Sequence, residues 1–168
     1  MRLETIKIGR IVNAHGIRGE VRVQPEGQDP AFLTRFKTFY LDGAPVTPTA
    51  NHVHKSLVLM KFPGVDDMNA ALALKGKDLY IRRSDAKLPE GACFDAELLG
   101  MAVYDAATGE ALGKIVQVDP YPAHKVYTVR GAREYLIPAV PEVFIKSVDL
   151  DADRMEVHVW EGMAADEN

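Results

Sequence analysis

Two histidines and one cysteine are the residues whose types could support metal or nucleophilic chemistry. His52 and His54 are two positions apart, so on a strand both side chains would point to one face and could share a metal ion. Cys93 could act as a nucleophile with a distant histidine as its base. No third metal ligand is identifiable near the histidines, and an unaccompanied cysteine is a weak catalytic signal. Solvent-facing histidines and a structural cysteine are therefore favoured, with no metal and no other cofactor.

An acidic run near the end of the chain fails the test for a calcium site. Asp149, Asp151 and Asp153 mimic the opening of a calcium-binding loop. Position six of that loop would be Arg154 instead of glycine, and position twelve would be Trp160 instead of glutamate. The sequence also has no phosphate-binding loop and no dinucleotide fingerprint. These observations predict a protein that is not an enzyme.

A glycine-containing turn near the start of the chain carries basic side chains. Residues 15–20 read His-Gly-Ile-Arg-Gly-Glu, in which the glycines supply backbone freedom and the polar residues coat a loop. Arg10, His15, Arg18 and Arg22 would form a compact basic cluster able to contact phosphates. On the residues alone, a purely structural role for the turn is favoured.

Aromatic residues in the second half of the chain are candidates for binding a protein partner. Phe94 lies next to Cys93, just past the predicted linker, and Tyr104 and Trp160 fall on the polar parity of their strands. Aromatic residues in such places often anchor interfaces, although each could instead cover the end of a barrel. The candidate partner-binding residues are Cys93, Phe94, Tyr104 and Trp160.

Period-two alternation of apolar and polar residues dominates the sequence and predicts an all-β fold of two small barrels. One short helix is predicted over residues 66–75, with Asp66 as its N-cap and Gly76 as its left-handed end. The predicted strands cover residues 6–12, 20–24, 53–62, 78–82, 101–105, 114–118, 126–130, 134–137 and 155–160.

Composition and charge indicate a two-domain cytoplasmic protein. The 168 residues include one cysteine, no secretory signal is visible, and the apolar stretches are too short to cross a bilayer. Residues 1–84 carry 13 Lys and Arg against 8 Asp and Glu, whereas residues 85–168 carry 7 against 16. The predicted division is a domain over 1–84, a linker over 85–92, a domain over 93–162 and a mobile tail over 163–168. Because the two halves carry opposite net charges, they are expected to bind partners of opposite charge.

The order and spacing of many short motifs carry a family resemblance. The segment 15–20 is one of them, and Leu-Pro-Glu-Gly at 88–91 is another. The matching stretches are 8–12, 15–23, 64–67, 70–71, 74–76, 88–91, 98–103, 112–116, 136–140, 148–150 and 161–163. Across nearly its whole length, the sequence resembles the RimM family of bacterial ribosome maturation factors.

The resemblance implies both a fold and a function. It implies a six-stranded N-terminal barrel like those of translation elongation factors, followed by a PRC-type barrel. It also implies a non-catalytic, monomeric assembly factor that binds the head of the immature 30S subunit and promotes 16S rRNA maturation. The implied protein partner is the nineteenth small-subunit ribosomal protein, a basic head protein. Cys93 and Phe94 stand where the family usually carries two tyrosines associated with partner binding.

Two other classes of function remain open at this stage. One is a PRC-barrel scaffold of a membrane electron-transfer complex, which would need a membrane anchor. The other is a metal- or RNA-dependent enzyme that uses His52, His54 or Cys93.

Overall fold

The computed structural model describes residues 1–88, 92–160 and 162–164. The chain forms two compact units, of which the first comprises Glu4–Leu88. The second contains Met1–Leu3 together with the described residues from 92 onward. The boundary falls inside the predicted linker 85–92, although residues 89–91 of that linker lie outside the described part.

The first unit is built on a seven-stranded antiparallel sheet with the strand order β4-β3-β7-β1-β2-β6-β5. Its strands are β1 (Thr5–His15), β2 (Glu20–Pro25), β3 (Phe39–Leu41), β4 (Ala44–Val46), β5 (Ala50–His54), β6 (Leu57–Lys61) and β7 (Asp78–Arg82). Alternating apolar residues of these strands form the core, among them the fully buried Ile8, Val21, Phe39, Met60 and Leu79. Burial of one sheet face is what the period-two pattern requires.

Two details of this unit differ from the expectations. The single strand predicted over 53–62 is two strands, β5 and β6, because the chain turns at Lys55 with a positive φ of 57°. The short strands β3 and β4 were not predicted either, and the sheet has seven strands where the resemblance implied six. Both residues of the turn, Lys55 and Ser56, are polar and exposed, which is compatible with a tight hairpin.

The predicted helix is shorter than expected and begins one residue later. The helix is α2 (Met68–Leu72), and its N-cap is Asp67, whose carboxylate accepts a hydrogen bond from the Ala70 N–H at 2.7 Å. Asp66 lies too early in the chain to reach these N–H groups, and it instead binds the Lys61 ammonium at 2.9 Å. Gly76 does adopt the expected positive φ, and its N–H donates to the Ile11 carbonyl of β1 at 2.7 Å.

Replacing Asp67 with alanine should lower the free energy of unfolding by about 1 kcal/mol, because the Ala70 N–H loses its acceptor. Asp66→Ala is the matched control, since it removes the carboxylate of the neighbouring aspartate but leaves the Asp67 cap in place. We expect it to change the stability by less than about 0.5 kcal/mol. Urea unfolding followed by circular dichroism measures both. A larger loss in the Asp66 variant would show that the ion pair with Lys61, and not the cap, holds this segment.

The second unit is built on a six-stranded sheet with the strand order β11-β10-β9-β8-β13-β12. Its strands are β8 (Ala102–Asp105), β9 (Ala111–Pro120), β10 (Lys125–Arg130), β11 (Glu134–Pro138), β12 (Ile145–Asp149) and β13 (Arg154–Val157). Strands β13 and β8 pair in parallel, and the other neighbours pair antiparallel. The core includes Met101, Val103, Ile115, Val129 and Met155.

Two further helices were not predicted, α1 (Pro30–Leu33) and α3 (Asp95–Leu98), each of four residues. The all-β fold class is confirmed, with two sheets and short helices only. The start of the predicted mobile tail is ordered, because Ala164 is buried and pairs with Tyr135 at the edge of β11. Residues 165–168 of that tail lie outside the described residues.

Candidate functional site

The turn between β1 and β2 presents two side chains to solvent. Gly19, at a φ of +92°, allows the turn to pack closely, since a Cβ there would lie 2.0 Å from the Val65 carbonyl oxygen. Any other residue would push the turn away from the loop before α2. Ile17 is 75% exposed, and Arg18 is also exposed. Gly19 therefore has the structural role predicted for it, while Arg18 in the same turn remains exposed.

Three side chains from separate strands meet beside this turn. Arg22 of β2 donates from Nε to Nδ1 of His15 at 3.2 Å. The His15 ring lies 5.5 Å, centroid to centroid, from the ring of His54 on β5. We call His15, Arg22 and His54 the imidazole cluster. The sequence placed His15 and Arg22 together but not His54, which comes from the far edge of the sheet.

Arg10 is not part of this cluster. Its Nε donates to Asp78 of β7 at 2.8 Å, and Lys7 is 3.4 Å from the same carboxylate. The hydrogen bond from Arg10 is the main cause that lowers the pKa of Asp78 below its usual value. The charge of Arg10 is thus compensated by a carboxylate of a neighbouring strand.

The predicted histidine pair on β5 is exposed. His52 and His54 are both exposed, and their register partners on β6 are Leu59 and Leu57. Within residues 1–88, 92–160 and 162–164, no group of three or more His, Cys, Asp or Glu side chains could hold a metal ion.

Phe94, a predicted partner-binding residue, is buried in the structure, with only 3% of its surface exposed. It precedes α3, where its backbone N–H donates to Oε1 of Glu97 at 3.1 Å. Glu97 is itself fully buried, and its Oε2 accepts from the Leu3 N–H at 3.0 Å. This carboxylate therefore fixes both the start of α3 and the N-terminal segment of the second unit. Cys93 is half-buried and packs against the core.

A charged pair and a buried phenol stabilise the position of α3. Lys125 of β10 binds Asp95 at 2.6 Å. Burial raises the pKa of Tyr127 to about 12, with smaller contributions from Cys93 and Asp95. The phenol therefore remains neutral at physiological pH, and it serves packing and not proton transfer.

Tyr104 is half-buried, and a cation covers its ring. The Arg154 guanidinium lies 3.8 Å from the ring centroid, and Arg154 also contacts Glu156 at 3.4 Å. A partner that stacked on Tyr104 would first have to displace Arg154. The ring of Tyr104, one of the predicted partner-binding residues, is therefore already covered by a side chain of the same protein.

Trp160 is the predicted contact residue that the structure leaves most open, with 56% of its surface exposed. Its ring lies 4.8 Å from that of Phe144, and its backbone N–H donates to the Met163 sulfur at 3.1 Å. Val143, next to Phe144, is exposed as well. We call Val143, Phe144 and Trp160 the aromatic patch. The sequence prediction missed Val143 and Phe144, whose signal was an apolar pair directly after the Pro-Glu turn at 141–142.

The backbone on both sides of the aromatic patch is tied down. The Phe144 carbonyl accepts from the His158 N–H at 2.7 Å, and the Phe144 N–H donates to the Val140 carbonyl at 3.0 Å. Little conformational entropy is lost when such an ordered aromatic surface binds a partner.

The helices in the described part of the chain have at most five residues, and none of them could span a membrane.

The fold defines a class: an all-β protein of two compact units, each built on its own sheet. A model of the RimM N-terminal domain matches residues 6–86, and a model of the RimM PRC barrel domain matches residues 95–163. The chain belongs to the RimM family.

Individual relatives resemble the chain over almost its full length. It is 36% identical to a ribosome maturation factor RimM from Symbiobacterium thermophilum, over 98% of this chain and 97% of the relative. It is 34% identical to a ribosome maturation factor RimM from Clostridioides difficile, over 96% of this chain and 97% of the relative. It is also similar to a crystal structure of a RimM protein from Pseudomonas aeruginosa, with 29% identity and a TM-score of 0.45. The match covers 93% of this chain and 98% of the other.

Proposed function

We propose that this chain is a non-catalytic assembly factor of the small ribosomal subunit, acting as a monomer in the cytoplasm. It binds the head of the immature 30S subunit through the nineteenth small-subunit ribosomal protein and promotes maturation of 16S rRNA. The names of its full-length relatives support the ribosomal role, because both halves of the chain match them in one order.

The observation that carries the proposal is the exposed aromatic patch on the acidic half of the chain. Tryptophan is enriched among the residues that dominate binding energy, above all where its ring sits in a preformed apolar setting. The half that contains the patch carries 7 basic against 16 acidic residues. A basic ribosomal protein would be steered towards that half by charge and held by the aromatic contact.

The first half suits a different partner. Its balance of 13 basic against 8 acidic residues, with Arg18 exposed in the turn that joins the strands of His15 and Arg22, fits contact with rRNA phosphates. A protein that binds a basic partner with one unit and RNA with the other needs no catalytic centre. It can favour one arrangement of the subunit head simply by binding it better than the alternatives.

A pull-down from bacterial lysate tests this function. The tagged protein should retain immature small subunits in preference to mature 30S subunits, because it is proposed to bind the arrangement of the head that occurs before maturation is complete. The same tag on an unrelated acidic β protein is the control for charge. Retention of neither particle, or equal retention of mature and immature subunits, would contradict an assembly role.

A further inference from the structure

We propose that the imidazole cluster is a binding site for unpaired RNA nucleotides, with the His54 ring as the surface on which a base stacks. This inference rests on the proposed function, because it specifies which form of RNA the first unit recognises. It adds His54, a residue that neither the basic turn nor charge alone would have indicated, to the RNA-contacting side chains.

The hydrogen bond from Arg22 positions the rings of the cluster. Arg22 Nε donates to Nδ1 of His15 at 3.2 Å. The His15 ring held in this way lies 5.5 Å, centroid to centroid, from that of His54. The Arg22 guanidinium keeps its Nη donors for a phosphate oxygen.

Apolar atoms lie around the polar ones in this cluster. Leu59 of β6 stands between Arg22 and His52 in the cross-strand register and is only 4% exposed. Ile17, in the turn that joins the strands of His15 and Arg22, is by contrast 75% exposed. Aromatic rings with guanidinium donors and exposed aliphatic groups provide what a nucleotide requires: a face for the base and donors for the phosphate.

The charges around the cluster favour an anionic ligand. Arg18 is exposed in the β1–β2 turn, and Lys55 directly follows His54. The neighbouring acids are Glu20, paired with His15 in the strand register, and Asp66, whose carboxylate is neutralised by Lys61 at 2.9 Å. The cationic side chains therefore outnumber the uncompensated carboxylates here.

An unpaired strand fits this site better than a duplex. The bases of an A-form duplex are stacked inside the helix, so a projecting imidazole ring can reach only its phosphates and 2′-hydroxyls. An unpaired base can leave its stack and lie on His54 while Arg22 binds the adjoining phosphate. The cluster should therefore distinguish a loop from a stem.

Fluorescence anisotropy with the full chain and two RNA probes tests this inference. One probe is a hairpin with an unpaired loop, and the other is a duplex of the same length without a loop. His54→Ala should weaken binding of the loop probe by at least about fivefold, the lower end of base–aromatic stacking, and leave duplex binding unchanged. His124→Ala, a half-buried histidine of the second unit, is the matched control and should change neither affinity.

Two further substitutions separate stacking from charge. His54→Phe keeps an aromatic face without a charge and should retain loop binding, whereas His54→Lys keeps a cation without the face and should not. The opposite ranking would overturn the stacking site in favour of a phosphate contact. Equal affinity for both probes, displacement of the loop probe by an acidic peptide, or zinc binding that requires His15 and His54 would overturn it as well. Failure of these assays alongside a successful pull-down rejects the cluster but not the assembly role.

Discussion

Phe94→Ala should lower the free energy of unfolding of the second unit by about 3–5 kcal/mol, the usual cost of deleting a buried phenylalanine side chain. Phe94 is 3% exposed, and its backbone N–H is held by the buried carboxylate of Glu97. A cavity at this position would therefore also loosen the start of α3. Urea unfolding followed by Trp160 fluorescence reports on this unit, since the sequence has one tryptophan.

The control for Phe94 is an exposed aromatic residue of the same unit. Tyr121 is 58% exposed at the hairpin between β9 and β10, and Tyr121→Ala should change the stability by less than about 0.5 kcal/mol. Phe94→Leu, which fills most of the cavity, should cost less than the alanine variant. If Phe94→Ala unfolds like the unmodified chain but no longer binds its ribosomal partner, the side chain is a contact residue and the core role is wrong.

Strand positions in this chain follow closely from local pattern. The predicted strands at 20–24 and 78–82 correspond to β2 (Glu20–Pro25) and β7 (Asp78–Arg82). In both, valine, leucine or isoleucine alternates with polar residues or tyrosine, and the structure buries the aliphatic set and leaves the other half-buried or exposed. Such a pattern is reliable because side chains of a strand point alternately to opposite faces, whatever the strand pairs with.

The errors arise where local pattern does not decide the structure. Between β5 and β6 the sequence has no glycine or proline, so the positive φ of Lys55 left no compositional signal. Asp66 and Asp67 are chemically identical candidates for the N-cap, and only the backbone path decides which one reaches the Ala70 N–H. Helices of four residues, such as α1 and α3, carry too few positions to show a period.

The candidate sites were predictable to the extent that they are local. His15 and Arg22 lie on the two strands of one hairpin and are hydrogen-bonded to each other, so their proximity follows from local sequence. His54 joins them only because β6 and β5 follow β2 in the sheet, an order that a single sequence does not reveal. Likewise, Phe94 and Trp160 are both aromatic residues next to an acidic residue, and their exposed fractions of 3% and 56% depend on tertiary packing.

Trp160→Ala should weaken binding of the nineteenth small-subunit ribosomal protein by at least about tenfold, or about 1.4 kcal/mol. The ring is preorganised against Phe144, and truncating it removes the largest exposed apolar surface of the aromatic patch. The variant should fold normally, because the Trp160 ring is mostly exposed and its N–H contact with Met163 is made by the backbone. Circular dichroism of the variant checks that the fold is kept.

Binding kinetics on an immobilised partner separate the aromatic contact from the surrounding charge. Trp160→Ala should raise the dissociation rate, whereas added salt should mainly lower the association rate, because screened surface charges steer encounter more than they hold a complex. Tyr121→Ala removes an equally exposed aromatic side chain elsewhere in the unit and should change the affinity by less than about threefold, as most interface or surface truncations do. A large loss with Tyr121→Ala and none with Trp160→Ala would place the partner at the β9–β10 hairpin and contradict docking at the aromatic patch.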